Sequence, residues 1–181
     1  IKGGEKVKMS TRKANYVTLD ELIDDVGPDV ARYFFLMRGM KSHLNFDLDL
    51  AKTESEENPV FYLQYAPARI CSILRNAATK KLAGGNDFNM ALLKEEETLS
   101  LLNALGEFKE VIEICVSTLE PQHLTTYLQK VATAFHKFYT IHRVISNDAE
   151  LSQARLALVK AVQIVMANGL ALLGISAPER M

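Results

Sequence analysis

Cysteine is scarce in this chain of 181 residues: only Cys71 and Cys115 occur, each inside an apolar stretch. A disulfide-stapled scaffold is thereby excluded, and both read as free, structural thiols suited to a reducing cytoplasm. Net charge is nearly absent as well, because 21 basic and 22 acidic residues cancel to −1 at pH 7. The global charge therefore points to no nucleic-acid, membrane or acidic partner, and any basic surface must be local. No uninterrupted apolar run reaches the ~18 to 20 residues that cross a bilayer, and the first residues lack the basic-then-apolar order of a signal peptide, so no membrane partner is expected. Period-two alternation is missing over any useful length, which argues against a sheet. His43, His123, His136 and His142 form no metal-ligand spacing with the cysteines, and no metal site is expected. No Ser-His-Asp or paired-carboxylate arrangement can be argued. An initiating Met is also missing: Ile1 lies in what reads as a loop, as in a piece cut from something longer.

What is present is a 48% hydrophobic composition, enough for one domain or one domain plus a piece of another. Residues 1–16 carry Gly3, Gly4, Lys6, Lys8, Arg12 and Lys13 with little apolar periodicity, and read as a glycine-hinged basic loop. Thr18 with Glu21 is a capping box opening a short helix, and Gly27 is placed for a left-handed C-cap. Pro28 then suits the first turn of a helix over 29–38, ended by Gly39. A long helical stretch from about 48 to 81 is broken at Asn58-Pro59, with Asn58 capping; Pro67 is expected to kink it rather than end it. Asp47 and Asp49 read as charges favouring a helix start. A turn at 84–87 precedes helical segments over 91–105, 107–118, 121–145 and 148–173. In the last of these Leu156, Val159, Ala161, Val162, Val165 and Met166 mark a helix buried on a wide face. The predicted fold class is all-α: a helical bundle over 53–181, preceded over 1–52 by a segment of mixed character.

Two constellations carry chemistry. Lys8, Met9 and Ser10, followed by Thr11, Arg12 and Lys13, put ammonium and guanidinium groups on a loop that could stabilise charge developing on a departing pyrophosphate. Taken alone the tripeptide is better explained as a solvated surface loop. Farther on, Phe135, Phe138 and Tyr139 sit near His136, Lys137, His142 and Arg143. Aromatic faces stack on unpaired bases while cations meet phosphates, as single-stranded loop recognition requires. Phe135, Phe138 and Leu128 share a stripe that reads as core, whereas Tyr139 and Arg143, one helical turn apart, occupy another face. By pattern alone that face is as well explained as plain surface. Tyr62 and Tyr65, with Arg69 one turn later, offer a second stacking and phosphate face, or else are buried in the bundle.

Val7 to Ser10, continued by Tyr16-Val17-Thr18-Leu19-Asp20-Glu21-Leu22, resembles the signature loop of class I aminoacyl-tRNA synthetases. The blocks Asp29-Val30-Ala31-Arg32-Tyr33-Phe34-Phe35-Leu36, Phe46-Asp47-Leu48-Asp49-Leu50-Ala51, Asn58-Pro59-Val60 and Gln64-Tyr65-Ala66-Pro67-Ala68-Arg69 follow in order. With the terminal Ala177-Pro178-Glu179-Arg180-Met181, they resemble the arginine-specific members over essentially the whole chain. Thr11 stands where the class carries a second lysine, so Lys8 keeps the strongest claim within the ATP-binding set Lys8, Met9, Ser10, Arg12 and Lys13. Pro67 stands where the family often has His, and no side-chain role is carried to it.

The resemblance implies that residues 1–52 are the end of a class I catalytic domain and 53–181 an anticodon-binding bundle. It implies an enzyme that ligates arginine to its tRNA through an arginyl-adenylate, with ATP and Mg2+ as reactants of the full-length protein, acting as a cytoplasmic monomer. It further implies that Tyr139, Arg143 and Met181 touch the anticodon loop. The alternative is a non-catalytic helical tRNA-binding or adaptor module derived from such an enzyme. A cysteine- or methionine-specific relative is disfavoured by the Gln-Tyr-Ala-x-Ala-Arg block and the terminal Ala-Pro-Glu-Arg-Met. The histidine-rich ATP loop and the arginine pocket of the class are expected to precede Ile1, so these residues by themselves are expected to be inactive, with no cofactor bound.

Overall fold

Thr18 caps the first helix reciprocally: its hydroxyl accepts from the Glu21 amide at 3.2 Å while its own amide donates to Glu21 Oε2 at 2.8 Å. These bonds from Thr18 hold the Glu21 carboxyl below the usual range. The computed structural model describes residues 18–82 and 88–181. The basic loop with Lys8, Met9, Ser10, Arg12 and Lys13, and the expected turn at 84–87, lie outside the described residues. Among the described residues there are eight α-helices, one 3-10 turn and no strand, so the all-α bundle is borne out.

α1 (Leu19–Val26) passes to α2 (Pro28–Leu36) through Gly27 alone. Gly27 has φ +83° with ψ 156°, rather than the left-handed helical ψ expected, because it also serves as the N-cap of α2, where an extended ψ is required. α2 stops at Leu36, short of Gly39. A Cβ on Gly39 would sit 3.2 Å from Gln122 Nε2, so that glycine permits a close approach instead of ending the helix.

α3 (Leu48–Lys52) is a short piece capped by Asp47, whose Oδ1 accepts from the amides of Asp49 and Leu50 at 3.1 and 3.0 Å. α4 (Pro59–Thr79) then starts at Asn58, as expected. This residue is 3% exposed; its Oδ1 accepts from the Val60 amide, while Nδ2 donates to the carbonyls of Ala51 and Thr53, so one side chain joins two helices. α4 runs unbroken through Pro67. A proline removes one helical donor there, and the burial of Leu63, Ala66 and Ile70 outweighs that loss.

A 3-10 turn (Met90–Leu92) replaces the first turn expected of the next helix. α5 (Glu96–Gly106) and α6 (Phe108–Thr118) follow, hinged at Glu107, which pairs with Lys130 at 2.6 Å. α7 (Gln122–Ile141) packs on α2, α4, α5, α6 and α8 (Ala149–Leu172), making it the centre of the bundle. Its Leu128, Val131, Phe135 and Phe138 are fully buried, in agreement with the core stripe. α7 and α8 come close enough that a Cβ on Gly169 would lie 2.5 Å from Leu128 Cδ2.

α8 holds no uninterrupted apolar run of that length, yet by length and overall composition it is apolar enough to cross a membrane. Its apolar side is instead buried in the bundle through Leu156, Val159, Val162, Met166 and Leu170. The helix ends where Gly174, at φ +66°, lets the Ile175 amide reach back to the Leu170 carbonyl at 2.9 Å. From there the tail is laid against α2 and α4. Asp29 Oδ2 accepts from the amide and hydroxyl of Ser176, Gln64 Nε2 donates to the same Asp29 oxygen, and Arg75 donates to the Glu179 carbonyl.

Candidate nucleic-acid interface

Helical spacing on α4 sets Tyr62, Tyr65 and Arg69 on one side, facing His136, Tyr139 and Thr140 of α7 across the seam between the two helices. The seam opens into a hollow of about 380 Å3 lined by these residues and Glu56. A second hollow of about 560 Å3 adjoins it, lined among others by Asn76, Lys80, His142, Arg143 and Ile145, and shares Tyr139 and Thr140 with the first. The two hollows thus share a wall at Tyr139 and Thr140.

Arg69 is the organising cation. Its Cζ lies 5.2 Å from the Tyr65 ring centroid and 4.9 Å from that of Tyr139, and its Nη2 donates to the Tyr65 hydroxyl. Among the described residues its buried Nε has no hydrogen-bond partner and it forms no ion pair. Tyr139 is half-buried, stacked at 6.2 Å on the buried Phe135 ring. Tyr62, Tyr65 and Arg69 are half-buried, packed in the bundle on one side and lining the hollow on the other.

His136 supports the floor. Its ring meets Tyr62 edge-on at 4.6 Å and Tyr65 at 5.6 Å. Its Nε2 lies 3.3 Å from the Tyr62 carbonyl, which can only accept, so Nε2 carries the hydrogen. Burial pushes the His136 pKa down and the Arg69 charge adds to this, against the Tyr62 carbonyl and Glu56. The imidazole is neutral at pH 7, leaving the fixed positive charge of the first hollow to Arg69.

Tyr139 and Arg143 do not lie one helical turn apart, which corrects the sequence reading. α7 ends at Ile141, and His142 turns extended at φ −114° and ψ 130°. Long-range bonds end the helix. Glu97 of α5 meets His142 Nε2 at 3.2 Å, and Arg155 of α8 donates to the Arg143 carbonyl at 2.8 Å. Arg143 still reaches the second hollow, with its side chain exposed. Lys137 and His142 are drawn toward α5, both pairing with Glu97.

Met181 is 55% exposed and lines neither hollow. The last tail bond before it is the one from Arg75 to the Glu179 carbonyl, near the end of α4 where Asn76 and Lys80 line the second hollow. Those two residues were missed from sequence. The signal was available, because they continue the Arg69 face at +7 and +11.

Residues 63–181 match the family model of the DALR anticodon binding domain. The chain is 50% identical to an arginine-tRNA ligase of Salinibacter ruber, over 100% of this chain and 32% of that protein. It is 51% identical to an arginine-tRNA ligase of Carboxydothermus hydrogenoformans, over 100% of this chain and 33% of that one. The solved arginyl-tRNA synthetase of Thermus thermophilus superposes with a TM-score of 0.74 at 26% identity, covering 94% of this chain and 29% of the other. The chain therefore spans about a third of the length of the curated relatives it matches.

Proposed function

The chain belongs to the DALR anticodon binding domain family, and we propose from that premise that it is the part of an arginine-tRNA ligase that grips the anticodon stem-loop of arginine tRNA. The groove between α4 and α7 is the gripping surface. Tyr139 stacks on an anticodon-loop base, Arg69 and Arg143 meet phosphates, Tyr62 and Tyr65 complete the stacking face, and Met181, outside both hollows, adds an exposed apolar contact for the loop from the tail. What supports this reading above all is Arg69, which among the described residues has no carboxylate partner and lies against the rings of Tyr65 and Tyr139. A groove wall that offers ring faces and unneutralised charge together fits unpaired bases on a phosphate chain.

In the same proposal, residues 1–52 close the catalytic domain and 53–181 form the binding domain. Within the whole enzyme, a carboxylate oxygen of arginine attacks the α-phosphate of ATP and pyrophosphate leaves. A ribose hydroxyl of the tRNA then attacks the carbonyl of the adenylate, and AMP leaves. Lys8, with Arg12 and Lys13 beside it and Met9 and Ser10 in the loop backbone, balances charge on the departing pyrophosphate. Mg2+ accompanies ATP as counter-charge. The protein acts as a cytoplasmic monomer, and these 181 residues by themselves neither exchange pyrophosphate nor charge tRNA.

Filter binding of arginine tRNA at two salt concentrations tests the grip, with circular dichroism confirming that each variant is folded. Tyr139→Ala should cost about 1 to 3 kcal/mol of affinity, the range for one stacked base. Arg143→Ala should mainly flatten the salt dependence, as expected for a phosphate contact. A folded Tyr139→Ala protein that binds as tightly as the parent would overturn the assignment.

A further inference from the structure

We propose that Arg155 is a positioning residue for tRNA binding: it fixes the backbone of Arg143, and so the place where the Arg143 side chain meets nucleic acid. The inference rests on the reading that Arg143 touches tRNA. Arg155 lies in the second turn of α8 and is 7% exposed. One arm of its guanidinium donates to the Arg143 carbonyl at 2.8 Å; the other pairs with Glu95 Oε1, whose second oxygen accepts from Thr98. Burial works to raise the Glu95 pKa, but its own amide and Arg155 more than offset this, so the partner stays a carboxylate.

The arrangement is not explained by stability. A buried ion pair contributes little beyond what an apolar side chain of similar volume would, and among the described residues the buried Nε of Arg155 has no partner, which is a further cost. What a planar fork does, and a methionine cannot, is hold two acceptors in fixed directions at once. One acceptor belongs to the N-cap of α5, and the other to the first residues past the end of α7. The next-but-one carboxylate of α5, Glu97, holds the His142 side chain at 3.2 Å. The start of α5 therefore fixes the chain on both sides of the Cα of Arg143, through Glu97 to His142 and through Glu95 and Arg155 to the Arg143 carbonyl. The exposed side chain between these anchors is the one that lines the second hollow.

A double-mutant cycle on tRNA affinity tests this, using the full chain with Arg155→Met, Arg143→Ala and the pair. Urea unfolding gives the stability of each protein separately. Arg155→Met should weaken binding of arginine tRNA about three- to tenfold and lower the salt slope by about one, as Arg143→Ala does. In the Arg143→Ala background it should change neither quantity. A purely structural role would instead weaken binding in both backgrounds and leave the salt slope alone, and that additive result overturns the proposal. So does a folded Arg155→Met protein that binds like the parent while Arg143→Ala weakens binding; there the Arg143 reading survives. If Arg143→Ala itself binds and responds to salt like the parent, the underlying reading fails and this inference with it. Should Arg155→Met not fold, Glu95→Gln carries the same cycle: it frees one arm of the fork, and its loss must likewise vanish in the Arg143→Ala background.

Discussion

Asp29 and Ser176 stand 147 residues apart in sequence and are joined twice, the Asp29 carboxylate accepting from both the amide and the hydroxyl of Ser176. The pair fastens the C-terminal tail to α2, and Gln64 completes the clamp from α4 at 2.9 Å. Asp29→Ala should therefore release the tail while leaving the bundle folded. A loss of about 1 to 2 kcal/mol is expected, toward the low end for hydrogen bonds to a charged acceptor because the site is partly exposed. Amide hydrogen exchange at residues 175–181 should accelerate while α7 keeps its protection. Unchanged exchange in the tail would show that the clamp does not hold it.

Two glycines should respond to the same substitution with opposite signs. A Cβ on Gly169 would press into Leu128 at 2.5 Å between α7 and α8, so Gly169→Ala should destabilise by about 1 to 3 kcal/mol. Gly106, at the end of α5, has nothing within 4 Å of the corresponding position, and Gly106→Ala should stabilise by about 0.5 to 1 kcal/mol. Urea midpoints at constant m-value decide both. A stable Gly169→Ala protein would mean the two helices can separate at little cost.

His136 makes stability depend on pH in a predictable direction. Burial and the Arg69 charge depress its pKa in the folded protein, while in the unfolded chain the ring titrates near 6.5. Between the two values the unfolded state binds more protons, so this contribution is intact above pH 6.5 and is lost as pH falls through the folded value. The parent should lose more stability between pH 7 and 5 than His136→Gln, which has no proton to take. Parallel pH profiles for the two proteins would contradict the buried, neutral ring.

Lys8→Ala, placed in a longer chain that carries the rest of the enzyme, should slow adenylate formation by roughly 10²-fold, the scale for losing one preorganised charge. Pyrophosphate exchange measures it. An unchanged rate would transfer the role to Arg12 or Lys13.

Local signals in the sequence were sufficient wherever the cause was local. The Thr18 cap, the Asn58-Pro59 start and the apolar spacing of α7 and α8 depend on residues within a turn or two of one another. The end of α7 does not. It falls at Ile141 because Glu97 and Arg155, some 45 and 12 residues from the groups they bind, capture the chain beyond it. No periodicity announces that capture. For the same reason Tyr139 and Arg69 were both legible as aromatic and basic positions on helix faces, while their meeting across the α4–α7 seam at 4.9 Å was not. Arg155 carried a sequence signal only in retrospect, as one of two cations in an apolar helix and the one that is buried, Lys160 being exposed.

The placement of α4 bears on how the protein is made. Its buried side, Leu63, Ala66 and Ile70, is covered by α7 and α8, and α8 ends at Leu172, 93 residues after α4 ends at Thr79 (172 − 79). At a synthesis rate of about 5 to 20 residues per second, that stretch takes roughly 5 to 19 s to follow α4 out of the ribosome. Until α7 and then α8 have emerged, the nascent chain presents α4 to the cell without its full cover, as a surface that chaperones can bind and the finished protein no longer shows.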